Sequence, residues 1–315
     1  MKYVFYFYFC ALSALLNAQS HEEITLLKIP SGVLEGTLLL PDSLVYKNKL
    51  PLAFIIAGSG PTDRNGNNPM MENNSLKLLA EGLANKGVAS FRYDKRGIGK
   101  SHIDSLNEKD MRFSHFVSDA EAWLQALKMD KRFGAISIIG HSEGSLIGMI
   151  AAKKSNISGF ISIAGVGNKA SQIIEEQLGA QPEFIQTLSE PILKQLQEGQ
   201  LVEEVTPMLY ALFRPSIQPY LISWFAIDPQ EEIKKLNIPI LILQGTTDIQ
   251  VGIAEAELLS QANPRAKKVI IEGMNHILKP AALERAKNLA TYQNPKLPIA
   301  PLLLQEIVTF IRKLE

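Results

Sequence analysis

The chain of 315 residues predicts an α/β fold built on a mostly parallel sheet flanked by helices, and three observations carry that prediction. Apolar runs over 50–57, 136–139, 159–165 and 238–245 have the length and β-branched content of strands buried on both faces. Stretches with helical periodicity alternate with them. Glycine-containing turns follow several of these runs, above all Gly140-His141-Ser142-Glu143-Gly144, which joins a strand-like run to a helix-like one.

The first elements have antiparallel character. Alternating runs over 23–29 and 33–40 flank Pro30-Ser31-Gly32, a hairpin signal. The buried run over 50–57 then opens into Gly58-Ser59-Gly60-Pro61-Thr62-Asp63-Arg64-Asn65-Gly66-Asn67-Asn68-Pro69, a loop by composition. It leaves the C-terminal end of a buried strand, the edge where ligands sit in open α/β sheets. The amides of Ser59 and Gly60 are therefore candidate anion donors, and a long polar connection is the bland alternative. Leu76, Leu79, Ala80 and Leu83 share one face of a helix expected over 75–86, which Gly87 stops.

A strand over 88–93 ends in Asp94-Lys95-Arg96-Gly97-Ile98-Gly99-Lys100-Ser101. Its Gly-Lys-Ser invites a phosphate-loop reading, but that motif needs a glycine five residues before Gly99, where Asp94 stands, so nucleotide binding is rejected. A helix over 115–129 turns Phe116, Ala120, Trp123 and Leu127 inward. His21, His102 and His115 fall outside every motif and read as solvated or structural.

Between 168 and 236 the alternation stops. Helical pieces over 171–178, 183–199, 203–213 and 218–226, interrupted by prolines and rich in Phe, Tyr, Leu and Met, predict a helical cap inserted into the α/β domain. The sheet resumes at 238–245 with Asp248 just past its end. A helix over 254–262, a strand over 268–272 that turns off through Gly273-Met274-Asn275-His276, and a closing helix over 302–313 complete the chain.

Composition narrows the function. With 32 basic and 32 acidic residues, the net charge is zero, which gives no electrostatic reason to expect nucleic acid or an acidic membrane surface. The N-terminus differs from the rest. Met1-Lys2, an apolar stretch to Leu16 and a small residue at Ala18 read as a secretory signal peptide over 1–18, leaving a domain over 19–315 in a secreted or periplasmic protein. That stretch is short for a membrane span, so no stable membrane anchor is expected. The single cysteine, Cys10, follows bulky residues and sits too early for a lipidation signal. Its removal with the signal leaves no thiol for a nucleophile or a disulfide. No His or Cys cluster has metal-ligand spacing, so neither metal nor cofactor is implied.

The chemistry converges on Ser142, Asp248 and His276, each just after a predicted strand. A serine hydroxyl is a weak nucleophile until an imidazole takes its proton, and the imidazole needs a carboxylate to fix its tautomer. Each residue has an ordinary reading alone: Asp248 as a turn former, His276 as a loop histidine. Asp228 and Glu272 are rival acids, one in the helical segment and one inside a strand. Type, order and topology together favour Ser142, Asp248 and His276. The amide of Glu143, first in the helix after the serine, is a further anion donor.

On these residues the chain resembles the α/β-hydrolases, in particular bacterial carboxylesterases and acyl-esterases near the dienelactone-hydrolase and acylaminoacyl-peptidase-like branches. The elbow Gly140 to Gly144, the loop Gly58 to Arg64, the loop Asp94 to Gly99, and the acid and histidine loops at 245–251 and 275–279 carry the resemblance. It implies Ser142 as nucleophile, His276 as general base and acid, Asp248 as its orienting carboxylate, and an oxyanion hole from the amides of Glu143 and Ser59, or Gly60. It further implies a serine esterase acting on a small-molecule ester through an acyl-enzyme. A peptidase, thioesterase or acyltransferase would use the same residues, and an inactive binding protein on this fold is the remaining alternative. Asp63, Arg64 and Asn65 are candidate contacts to a polar part of the substrate. Oligomeric state is not legible.

Overall fold

In the computed structural model, which describes residues 20–42 and 49–315, nine strands form one sheet. The expected signal peptide over 1–18, with Cys10, lies outside the described residues. The hairpin expected at the start is present as β1 (His21–Ile29) and β2 (Gly32–Leu40), paired antiparallel. Antiparallel pairing also joins β2 to β4 (Ala89–Tyr93), which runs parallel to β3 (Leu50–Ile56). From β3 the sheet continues in parallel through β6 (Phe133–His141), β7 (Gly159–Ile163), β8 (Ile240–Gly245) and β9 (Lys267–Ile271). The two-residue β5 (His102–Ile103), which the sequence did not announce, pairs with β2.

The spatial order β1-β2-β4-β3-β6-β7-β8-β9 places the reversal of strand order between β3 and β6. At such a switch point the loops after two adjacent parallel strands part to opposite sides and leave a crevice at their carboxyl ends. The loops after β3 and β6 carry Ser59 and Ser142.

Side-chain alternation sorts the strands between two apolar layers. Leu52, Phe54 and Ile56 of β3 face one, while Ala53 and Ile55 face the other. The first layer is closed by α2 (Phe113–Met129) through Trp123 and Leu124, and by α3 (Glu143–Lys154) through Leu146 and Ile147. On the opposite face α1 (Ser75–Ala84) buries Leu76, Leu79 and Leu83, and α11 (Pro301–Arg312) buries Leu303, Ile307 and Ile311. Burying such a side chain contributes roughly 1.5–3 kcal/mol. Ordinary helix propensities differ by only about 0.7 kcal/mol. Packing against the sheet therefore decides where these helices lie.

Between β7 and β8 the chain leaves the sheet for α4 (Ala170–Gly179), α5 (Glu183–Gln197), α6 (Tyr210–Phe213), α7 (Gln218–Phe225) and α8 (Pro229–Lys234). The helix expected over 203–213 is absent as such: irregular chain gives way to a 3-10 turn at Pro207–Leu209 and then to the single turn α6. Pro207 has no amide to donate and pushes Thr206 into extended backbone, with φ −60° and ψ 143°. Pro191, by contrast, sits inside α5, which continues past it although it has no amide to donate. Phe213, Tyr220, Leu221 and Phe225 join the apolar layer over α2 and α3. After β8 come α9 (Ile253–Ala262) and, unannounced by any periodicity, the short α10 (Arg285–Ala290). No helix among the described residues is long and apolar enough to cross a membrane.

Candidate active site

Ser142 stands alone between the last residue of β6 and the first of α3, with φ 53° and ψ −122°. A non-glycine residue in that region is strained and persists only where its surroundings fix it. Here the Ser142 amide donates to the Ile163 carbonyl at 2.9 Å, and its own carbonyl accepts the Ser145 amide at 2.9 Å. The flanking glycines make the turn sterically possible. A Cβ on Gly140 would lie 2.4 Å from the Gly144 carbonyl oxygen, and one on Gly144 would lie 2.3 Å from that of Ile56. The hydroxyl is thereby presented at the carboxyl edge of the sheet, beside the first amide of α3, which has no intrahelical partner by virtue of its position.

Two more loops from that edge meet each other. The Nδ1 of His276 lies 2.8 Å from Oδ2 of Asp248, with both side chains buried. The other carboxylate oxygen, Oδ1, accepts the amides of Gln250 at 2.8 Å and Val251 at 2.9 Å. Gln244, within β8, adds an amide hydrogen to Oδ2 at 3.2 Å. Burial alone would raise the Asp248 carboxyl, but the facing His276 and the two backbone amides outweigh it and hold the group below the usual carboxylate range. An ionised Asp248 fixes the proton of His276 on Nδ1 and leaves Nε2 free to accept one.

Ser142 and His276 line one cavity of about 230 Å³, together with Gly58 to Thr62, Asn68, Asn73 and Gln250. On its other side Ser142 faces a second cavity of about 310 Å³, whose wall is mostly apolar: Val166, Ile173 and Ile174 from one side, Leu212, Leu221 and Trp224 from another. Four of these six belong to α4 and α7, and the floor is Ser59, Gly60 and Glu143. A third cavity, of about 510 Å³, shares Gly60, Pro61, Glu143 and Tyr220 with the second and extends past Phe116 and Leu106. Gly60 and Pro61 border all three. Gly60 adopts φ +72°, a backbone conformation that L side chains rarely take.

The structure brings Ser142, Asp248, His276, Ser59, Gly60 and Glu143 to the same sheet edge. It places Asp63, Arg64 and Asn65 elsewhere. Asp63 Oδ1 accepts the amides of Asn65 and Asn67 at 2.8 and 2.9 Å and so caps its own turn. Arg64 turns inward to Glu35 of β2 and lies 3.4 Å from Asp94. Asn65 accepts from Arg92 at 3.1 Å. None of the three lines the two cavities that reach Ser142. The rival acids are also accounted for: Asp228 caps α8 by accepting the Gln230 amide at 2.9 Å, and Glu272 is exposed. His21 and His102 are largely exposed, and His115 accepts the Arg112 amide at the start of α2.

Three residues at the site escaped the sequence reading. His141 packs against His276, Lys95 is buried beneath the loop after β3, and Tyr220 reaches the Glu143 carboxylate from α7. Lys95 sits in a loop already noticed as a motif. His141 had no signal beyond its place inside the elbow, and Tyr220 none beyond membership of an aromatic-rich helix. Among the described residues no group of His, Cys, Asp and Glu could hold a metal ion.

Comparison with known proteins supplies the relatives. A family model described as serine aminopeptidase, S33, matches residues 72–207, which include Ser142 but end before Asp248 and His276. The esterase EstD of Thermotoga maritima is 26% identical over 255 residues, covering 78% of this chain and 58% of EstD. The chain thus spans a little over half the length of that relative. Among solved structures, Est1E of Butyrivibrio proteoclasticus with ferulic acid bound superposes with a TM-score of 0.63 at 20% identity, over 91% of this chain and 99% of that one. An esterase of Pyrococcus furiosus superposes with a TM-score of 0.58 at 14% identity, over 94% and 91%.

Proposed function

We propose that this chain, whose fold is that of α/β-hydrolases, is a serine esterase in which Ser142, His276 and Asp248 act as nucleophile, general base and orienting carboxylate. The observation that carries this reading is the His276–Asp248 contact at 2.8 Å, formed at the rim of a cavity that Ser142 also lines. The sequence relative named esterase, EstD, agrees with it.

In this reading the three side chains and the nearby amides divide the chemistry between them. His276 Nε2 takes the hydroxyl proton as Ser142 Oγ attacks the ester carbonyl. The amides of Glu143 and of Ser59 or Gly60 receive the charge that develops on the carbonyl oxygen. His276 returns the proton to the departing alcohol, then activates a water that releases the acid. Ionised Asp248 stabilises the imidazolium at both stages.

The apolar 310 Å³ cavity suits the acyl group, and the smaller cavity beside His276, bordered by Asn68 and Asn73, suits the alcohol. In this reading the helices between β7 and β8 are a cap that sets acyl preference. Hydrolysis of a chain-length series of p-nitrophenyl esters by the wild type and by Ser142→Ala tests it, and equal turnover by both would sink it. The serine aminopeptidase family match supports a second reading, peptide-bond cleavage. Aminoacyl p-nitroanilides run in the same assay separate the two.

We also infer export, from the composition of residues 1–18. The mature N-terminus, read by mass spectrometry after expression in a bacterium, is expected at Gln19.

A further inference from the structure

Lys95 is 2% exposed and takes part in none of the steps above. Its ammonium donates to the Gly58 carbonyl at 2.6 Å and pairs with Glu143 Oε2 at 2.7 Å, over the ring of Phe116. The second Glu143 oxygen accepts the Tyr220 hydroxyl of α7. Burial and the nearby Glu143 carboxylate push the Tyr220 phenol well above its ordinary range, which keeps it a donor. One buried carboxylate is thus shared between a lysine from the loop after β4 and a tyrosine from the helical segment.

The position of this pair relative to the proposed reaction matters more than its existence. Gly58 immediately precedes Ser59 and Gly60, one of whose amides is assigned above to one side of the anion site, and Glu143 carries the amide assigned to the other side. A single ammonium therefore holds both sides. Glu143 also places a negative side chain beside a site that must accept an oxyanion, and in a buried setting like charges interact strongly. With its countercharge removed, a buried ion is left uncompensated.

We propose that Lys95 is a positioning residue for the ester hydrolysis: its ammonium sets the spacing of the two amide-bearing stretches and cancels the Glu143 carboxylate, and Tyr220 carries that network into the helices over the acyl cavity. This rests on the esterase reading.

The test compares wild type, Lys95→Met and the double variant Lys95→Met/Glu143→Gln for kcat and KM on a p-nitrophenyl ester. It adds the affinity for an alkyl boronic acid, which binds serine as a tetrahedral anion, and the rate of Ser142 capture by a fluorophosphonate. Lys95→Met is expected to lose on the order of 10²-fold in kcat, the effect of losing one oxyanion donor. Its KM changes little, and its boronate affinity falls in parallel. The double variant, with no stranded carboxylate, regains about tenfold, within the range of coupling between contacting residues.

Lys95→Met turning over like wild type, losing only KM, or being matched by an equally impaired double variant would each overturn the inference. A merely structural role lowers melting temperature without this recovery. Should Lys95→Met fail to fold, the double variant decides, since the inference requires it to bind boronate far better than Ser142→Ala. A wild type that hydrolyses no ester yet is captured at Ser142 refutes the esterase reading alone, and the capture rates still rank the variants.

Discussion

The imidazole of His141 lies against that of His276, ring centroids 4.8 Å apart, and its Nε2–H donates to the His276 carbonyl at 2.8 Å. The residue that precedes the proposed nucleophile thus holds the loop that carries the proposed base. Burial, with the neighbouring His276 ring, pushes His141 down to about 3, so it is neutral in the folded protein at any ordinary pH.

A pH dependence of stability follows from that neutrality. Below the ordinary histidine value of about 6.5 the unfolded chain binds a proton that the native state refuses. The contribution is therefore fully present above pH 6.5 and is lost as pH falls toward about 3. Through this window His141 alone contributes a slope of as much as about 1.4 kcal/mol per pH unit. Glutamine keeps a donor for the His276 carbonyl and does not titrate. Urea denaturation at pH 7, 6, 5 and 4 is expected to show a shallower loss for His141→Gln than for wild type, and identical slopes would refute the assignment.

Asp248 leads to a kinetic prediction. Asn at this position presents an amide that cannot hold the imidazole proton on Nδ1 with a charge, and it offers the tautomer with Nε2 protonated a place. Turnover by Asp248→Asn is expected to fall on the order of 10³–10⁴-fold, with KM little altered, as for loss of the orienting acid in a triad. Steady-state kinetics on one p-nitrophenyl ester checks it. Retention of a tenth of the wild-type kcat would mean that another group orients His276.

The elbow is testable through its glycines. A methyl on Gly144 would press on the carbonyl oxygens of Ile56 and Ala57 at 2.3 and 2.7 Å, and backbone at the end of β3 has no side chain to move aside. Gly144→Ala is expected to cost at least about 1–3 kcal/mol in stability, the range for overpacking a core. Relief of the clash requires α3 to move away from β3. Gly60→Ala makes the control, since nothing lies near its Cβ and the strain there is conformational alone. Thermal melts of the two should separate, with Gly144→Ala the lower.

What the sequence disclosed divides along the reach of the interactions involved. The central strands were legible because burial on both faces demands an unbroken apolar run, as in Leu52 to Ile56. The turn at Ser142 was legible because it tolerates only small neighbours, and the nearness of Asp248 to His276 because each lies in a loop just past one of two adjacent parallel strands, β8 and β9. Lys95, Glu143 and Tyr220 were not legible as a unit: Lys95 and Tyr220 lie 48 and 77 positions from Glu143, and nothing local in any of the three encodes the meeting. Arg64 shows the converse. A polar residue in a polar loop reads as available to substrate, until Glu35 and Asp94 supply the inward partners that tertiary structure alone brings near.

The apolar cavity beside Ser142 gives the last prediction. Ile173 of α4 lines it, and the side chain is 7% exposed, so a larger residue there enters the cavity rather than solvent. Ile173→Trp fills part of about 310 Å³ from the α4 side of the cavity. Short acyl chains should then be hydrolysed with nearly wild-type kcat/KM, while chains long enough to reach the indole lose tenfold or more, about 1.4 kcal/mol of transition-state binding. The opposite change, Trp224→Ala, enlarges the same cavity and should move the preferred chain length upward. Parallel shifts of the whole profile in either variant would place the acyl group elsewhere, with the 510 Å³ cavity past Phe116 the next place to look.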